Sequence, residues 1–203
     1  MSTTTSGRRH RSDGARSHEA ILEAAARLAS TRGLDRLSIG ELADAVGISK
    51  SGLYAHFGSK EELQLATIDA AEEVFDRVVV ARAESAKPGL PRVLALCDAH
   101  LDHLRDRIFP GGCFFACASA EMHARPGAVK DRVAAFDGRW QARFRRHLAI
   151  ARQDGDLPDE DLEAVLFDID AILYYAHGAF SFRDDPAVLE QAREAVRRRL
   201  RVA

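Results

Sequence analysis

Apolar positions recur every three or four residues along nearly the whole chain, and strand-type alternation is absent, so the pattern predicts an all-α protein. The first helix is expected from Ser17 to Arg32, with Ile21, Leu22, Ala25, Leu28 and Ala29 on one face. Ser17 suits an N-cap, Glu19 favours the first turn, and Gly33 supplies the stop. In "SIGELADAVG", Ser38 and Glu41 have capping-box spacing, and Ile39, Leu42, Ala43 and Val46 form a short apolar face that Gly47 ends. A short helix over about residues 49–56 opens at Ser49, and a second capping box, Ser59 with Glu62, starts a long helix through about Ala83. Three short helices, the last two joined by a tight glycine turn, have helix-turn-helix spacing.

Beyond residue 84 the helices lengthen. "KPGLP" (87–91) is a break, after which Leu94, Cys97, Leu101, Leu104 and Ile108 form a stripe ended by "FPGG" (109–112). A short apolar helix is expected over 113–123, and "RPG" (125–127) precedes a long one carrying Val129, Val133, Phe136, Trp140, Phe144 and Leu148. The next helix, about 159–182, carries Leu162, Val165, Leu166, Ile169, Leu173 and Ala176. Asp185-Pro186 opens a last one with Leu189, Ala192, Val196 and Leu200. No internal repeat is visible.

Length and charge narrow this outline. The chain has 203 residues, enough for a real core, and a net charge of −2. Residues 1–60 hold nine Lys/Arg against six Asp/Glu, whereas the remainder holds twenty against twenty-five. Affinity for an anionic polymer must therefore be local, and it is local to the N-terminal part. Residues 1–16, with Arg8, Arg9, Arg11 and Arg16 among Ser, Thr and Gly, read as a disordered basic arm. They have no apolar core of the kind a secretory signal needs, and no run in the chain reaches the roughly 18–20 apolar residues of a membrane span. Three cysteines without framework spacing point to a reducing cytoplasm and buried thiols.

The segment "GISKSGLYAHFGSK" (47–60) concentrates the chemistry. Ser49, Lys50 and Ser51 sit at a helix start, where free N–H groups and the dipole favour phosphate. Lys50 can donate to guanine acceptors or to a phosphate. Leu53 and Phe57 share a face that anchors the helix, leaving Tyr54 and His56 to reach outward, and Lys60 brings a cation to the next helix start. Gly52 costs on the order of 1 kcal/mol inside a helix relative to alanine, which close backbone approach to a base or sugar would offset.

The ordered set "AILEAAARLASTRG", "LSIGELADAVGIS", "LYAHF" and "SKEEL", over about residues 17–64, resembles the N-terminal DNA-binding domain of the tetracycline-repressor (TetR) family. The resemblance implies an all-α protein: a three-helix DNA-binding domain (17–60) and a larger C-terminal domain (61–203) that binds a small molecule and forms a two-fold dimer. Ser38, Tyr54, His56 and Lys60 then stand as phosphate contacts, and Ser49, Lys50, Ser51 and Gly52 approach bases. Ser38 occupies a position where the family frequently has threonine. Ser51-Gly52 stands where many members have glycine followed by a small residue. The implied partners are a palindromic double-stranded operator, a partly apolar effector and a second copy of the chain, with no cofactor and no membrane. Effector binding would shift the 59–83 helix and alter the separation of two recognition helices, about 34–36 Å apart on successive major grooves.

For the effector, His100, Leu101, Phe114, Phe115, Phe136, Trp140, Tyr174 and His177 are the candidate lining, with Met122, Phe144 and Tyr175 as further aromatic or soft neighbours. The small and branched faces of the last two helices (Ala176, Ala192, Val196) suit a four-helix bundle between subunits. Arg197, Arg198 and Arg199 read as a solvated face, with Glu194 four residues before Arg198. Two alternatives remain. Cys97, His100 and His103, or Cys113 and Cys117 with His123, have spacings compatible with metal or thiol sensing. A helical enzyme is the other, although the chain carries no nucleophile motif and no phosphate-cradling glycine loop.

Overall fold

The computed structural model describes residues 6–202, and every regular element among them is helical. Helix α1 (Ser6–Arg32) starts well before Ser17. The expected arm is therefore helical over 6–16, Ser17 is not a cap, and residues 1–5 lie outside the described residues. The reason is cooperative: with the 21–32 portion pinned by packing, each residue added upstream gains a backbone hydrogen bond without a new nucleation cost. Gly7 and Gly14 weaken that extension but do not stop it.

The next starts follow their caps. In α2 (Ile39–Val46) the Glu41 amide donates to Ser38 Oγ at 3.2 Å, and Gly47 closes the helix at φ 71°. In α3 (Lys50–His56) the Gly52 amide donates to Ser49 Oγ at 3.1 Å. Helix α4 (Lys60–Phe75) opens with the Glu62 amide on Ser59 Oγ at 3.1 Å, while the Gly58 amide donates back to Glu62 Oε2 at 3.0 Å.

The expected helix to Ala83 is continuous but not uniform. A π-helical turn, Asp76–Val80, follows α4, and α5 (Ala81–Ala83) completes it. Phe75, Val79 and Ala83 are all buried, four residues apart. In a regular α-helix that spacing drifts by about 40° per step, and one widened turn returns the three to the core.

Helices α6 (Leu90–Arg105), α7 (Phe114–Met122), α8 (Ala128–Gln153), α9 (Leu162–Arg183) and α10 (Ala187–Arg199) build the larger body. Helix α6 runs through it, against α8, α9 and α10, and α8 also packs on α4 and α7. One face of α8 is zipped electrostatically to α4 and the start of the π-helical turn that follows it. Arg132 reaches Asp69 at 2.6 Å, Arg139 grips both oxygens of Glu72 at 2.8 and 2.6 Å, and Arg143 meets Asp76 at 3.1 Å.

Several contacts join the head, α1 to α3, to the body. Glu121 on α7 accepts from the Leu34 and Asp35 amides at 2.7 and 3.0 Å, and Gln64 donates to the Leu34 carbonyl at 2.8 Å. At Gly111 the two backbones nearly touch: a Cβ there would lie 1.8 Å from the Ser30 carbonyl oxygen. Only glycine fits that crossing.

The small residues expected at a subunit interface are used inside the chain. Ala176, Ala192 and Val196 are buried where α9 packs on α10. The exposed apolar residues of α9 are Phe167, Tyr174, Tyr175 and Phe182, the last 90% exposed. The arginine run is also partly committed, since Arg199 pairs with Glu160 at 3.0 Å and with Asp168 at 2.5 Å. Arg198 meets Glu194 at 3.5 Å, the i,i+4 pair expected. No helix among the described residues is long and apolar enough to cross a membrane.

Candidate nucleic-acid interface and internal cavity

Burial divides α3 cleanly. Leu53 and Phe57 are sealed against the head, whereas Ser49, Lys50, Ser51, Tyr54 and His56 are exposed, Tyr54 to 58%. Lys60, at the start of α4, is exposed as well, and Ser38 is half-buried as the cap of α2. Three helix N-termini, those of α2, α3 and α4, are therefore each opened by a serine hydroxyl. Such termini carry free amides and partial positive charge, the elements of a phosphate track.

The cations are held by neighbours in a way the sequence does not display. The Lys50 side chain folds back over α2, so that a Cβ on Gly40 would meet its Nζ at 3.5 Å. Lys60 stands 4.0 Å from Asp35, whose carboxylate is already bound by Arg125 at 2.5 Å. The His56 ring lies 5.8 Å from that of His18 on α1. Gly52 has one neighbour to consider: an added Cβ would sit 3.2 Å from the Ser49 hydroxyl, against the cap itself.

Inside the body a cavity of 430 Å³ lies between α4, α6, α7, α8 and α9. That is within the range of small-molecule sites. Six of the eight sequence candidates line it: His100, Phe115, Phe136, Trp140, Tyr174 and His177. Leu101 and Phe114 do not, being packed wholly into the core; Phe114 rests against Phe109, with ring centroids 5.8 Å apart. Of the further neighbours, Met122 and Phe144 are core residues and Tyr175 faces outward. At the base Phe75 meets Phe136 and Trp140 edge-on, with centroids 5.1 and 5.2 Å away. Sequence reasoning missed Phe75, Asp137, Gln141 and Asp170. The first sits in a helix assigned to transmission, and the acids and the amide look like ordinary solvated positions of amphipathic helices.

The titratable groups of this region are shaped by burial. Desolvation holds the His100 and His177 imidazoles below their ordinary value and brings His103 down to about 4. His103 donates from Nδ1 to the His100 carbonyl, while its Nε2 and His100 Nδ1 are buried without a partner among the described residues. Asp170 is shifted the other way, up to about 6, by desolvation and then by the nearby Asp137.

Burial also drives the Cys97 thiol upward and Cys113 up to about 12, so neither is a ready thiolate. Cys117 is likewise raised, chiefly by desolvation, and lies 3.7 Å from His177 Nε2. Among the described residues no three His, Cys, Asp or Glu side chains come together as a metal site. Cys97, His100 and His103 form no such group among the described residues, despite their spacing.

Comparison with known proteins extends the match over most of the chain. Residues 21–67 match the description "Bacterial regulatory proteins, tetR family", and residues 89–196, more than half the chain, match "Tetracyclin repressor-like, C-terminal domain". The HTH-type transcriptional regulator TtgR of Pseudomonas putida is 31% identical over 80 residues, 39% of this chain and 37% of that protein. ArpR, also of Pseudomonas putida, is matched over 39% of its length, so the chain spans about two fifths of these curated relatives. A TetR transcriptional regulator from Chloroflexus aurantiacus superposes with a TM-score of 0.83 at 24% identity, covering 91% of this chain and 93% of that one. A cysteine variant of CifR, complexed with 26 bp double-strand operator DNA, superposes with a TM-score of 0.73 at 25% identity over 90% and 95% of the two chains. Capped short helices ahead of a cavity-bearing helical body, matched in both parts, place this protein in the TetR family of bacterial regulatory proteins.

Proposed function

We propose that the protein is a dimeric transcriptional repressor that leaves its operator when a small molecule fills the 430 Å³ cavity. The observation that carries this reading is the pairing of two sites in one fold. A serine-capped α3 exposes Ser49, Lys50, Ser51 and Tyr54, and an aromatic cavity lies in the body behind it. In this reading residues 17–60 bind DNA and 61–203 bind effector and partner. Ser49, Lys50, Ser51 and Gly52 approach base edges, while Ser38, Tyr54, His56 and Lys60 track phosphates. The CifR complex with operator DNA supports a nucleic-acid partner for this architecture. The reading assigns no catalysis to the chain and, with DNA as its partner, places it in the cytoplasm.

The dimer in this proposal uses α9 and α10, and the exposed Phe167, Tyr175 and Phe182 supply an apolar face that a second copy would cover. Coupling runs through α8. Its cavity face carries Phe136, Trp140 and Asp137, and its other face holds α4 through Arg132, Arg139 and Arg143. A ligand that favours one position of α8 therefore biases α4 and the two heads with it.

Selection of bound fragments from a random DNA pool tests the reading. A palindrome with half-sites about one helical turn apart is expected. Recovery of no preferred sequence would overturn it.

A further inference from the structure

The cavity has an unusual charge balance for an aromatic site. Its lining, among the described residues, holds no lysine and no arginine, but two carboxylates, Asp137 on α8 and Asp170 on α9. The two lining histidines do not offset them, because burial keeps His100 and His177 neutral near pH 7. The cation that acts on both acids, Arg145, is committed elsewhere, holding both oxygens of Glu163 at 2.7 and 2.9 Å and the Gln141 carbonyl at 3.0 Å. One arginine thus faces three acids, Asp137, Glu163 and Asp170.

The geometry around Asp170 points in the same direction. Phe167 and Tyr174 stand three residues before it and four after it, so both rings share its face of α9, and both line the cavity. Asp137 accepts a hydrogen bond from Gln141 at 3.1 Å, whereas Asp170 accepts none from any described side chain. A half-buried carboxylate bracketed by aromatic rings and left without a donor is short of a positive partner. At the base, His100 contributes a buried Nδ1 that is also unpartnered among the described residues.

We propose that the cavity takes a hydrophobic organic cation, an amine or quaternary ammonium on an apolar body. Its positive end lies between Asp170 and Asp137, flanked by Phe167 and Tyr174, and its body lies against Phe136 and Trp140. A ligand carboxylate or phosphate would add a third negative charge where no cation lines the wall, so anionic metabolites are rejected. The inference rests on reading this cavity as the effector site, and it names the ligand's charge class.

Trp140 is the chain's one tryptophan and lines the cavity, so its emission reports occupancy directly. Three probes of one shape separate charge from hydrophobicity: 4-phenylbutyl-trimethylammonium, 4-phenylbutanol and 4-phenylbutanoate. The ammonium is expected to quench Trp140 saturably, the alcohol more weakly, and the carboxylate not at all. Asp170→Asn is expected to weaken the ammonium by about tenfold or more and leave the alcohol unchanged. Lowering the pH from 7 to 5 is expected to weaken the ammonium too, because its own charge is permanent while Asp170, shifted up to about 6, takes a proton.

Binding of the carboxylate as tight as that of the ammonium, or indifference of the ammonium to Asp170→Asn, overturns the charge class while leaving the cavity a ligand site. Silence from all three probes overturns both readings. Quenching by the ammonium without release of selected operator DNA overturns the effector role and leaves the charge preference standing. Should Asp170→Asn fail to fold, Asp137→Asn and the three-probe series on the unmodified protein carry the same decision.

Discussion

The two regions to which function is proposed are built on opposite principles. In the head, chemistry lies on short capped helices within 23 consecutive positions, Ser38 to Lys60, and the polar side chains point to solvent. In the body, the cavity gathers residues from Phe75 to His177 across five helices, with His100 buried and Asp170 and His177 half-buried. Burial changes their acid–base character, so the His100 and His177 imidazoles fall and the Asp170 carboxyl rises. The proposed DNA-reading surface is thus a local property of sequence, and the proposed ligand site is a property of assembly.

The largest way to break that contrast lies where the regions meet. Gly111→Ala would force a Cβ to within 1.8 Å of the Ser30 carbonyl oxygen, on rigid backbone at the end of α1. We expect a loss of about 3 kcal/mol or more, seen as a fall of about 6–12 °C in thermal midpoint. An unchanged midpoint would mean the head and body are not held at this crossing.

A similar magnitude is expected from pH acting on the body. His103 is neutral when folded, with its pKa lowered from 6.5 to about 4, so the unfolded chain takes up a proton that the fold refuses. Its contribution is present above pH 6.5 and is lost as the pH falls toward 4, on the order of 3 kcal/mol over that window. His100 and His177 act in the same sense. Asp170 opposes them: its folded pKa is raised from 3.8 to about 6, so its neutral form favours the fold at low pH and this is lost as pH rises between those values. Denaturant titrations from pH 7 to 4.5 should show stability falling, less steeply in His103→Gln. Parallel slopes in the two proteins would reverse the assignment.

The head is tested by DNA rather than by protons. Tyr54→Phe and Lys60→Ala are expected to weaken selected and random DNA alike, with Lys60→Ala lowering the salt dependence by about one phosphate. Lys50→Ala is expected to cost about 1–3 kcal/mol on the selected site and to relax its preference. Equal losses on both DNAs would confine Lys50 to the phosphate track, consistent with its resting position over α2.

The smallest effect is at Gly52. Alanine gains helix propensity of about 1 kcal/mol, but its Cβ presses on the Ser49 cap at 3.2 Å, and a lost cap costs about as much. Stability is expected to change by less than about 1 kcal/mol while operator affinity falls. A rise in both would mean that the backbone makes no close approach there.

Much of this molecule is legible before folding. Ser38, Ser49 and Ser59 announce their helices because a cap is satisfied within three residues, and the structure places each on its expected amide. Six of the eight proposed lining residues reach the cavity because large aromatics on apolar stripes are drawn inward. Where reading failed, the cause lies in partners distant in sequence. Helix α1 extends to Ser6 because packing had already nucleated it. Ala176, Ala192 and Val196 look free to join a partner until α9 and α10 close on each other.

By itself, then, the sequence determined the helical class, the capped short helices of the head and the apolar faces, since these depend on contacts a few residues apart. Tertiary structure alone decided that Asp137 and Asp170 face one aromatic cavity whose described lining holds no lysine or arginine, that α8 is zipped to α4, and that Gly111 lies against Ser30. Those are meetings of residues tens of positions apart, set by how helices stack, and no local pattern encodes them.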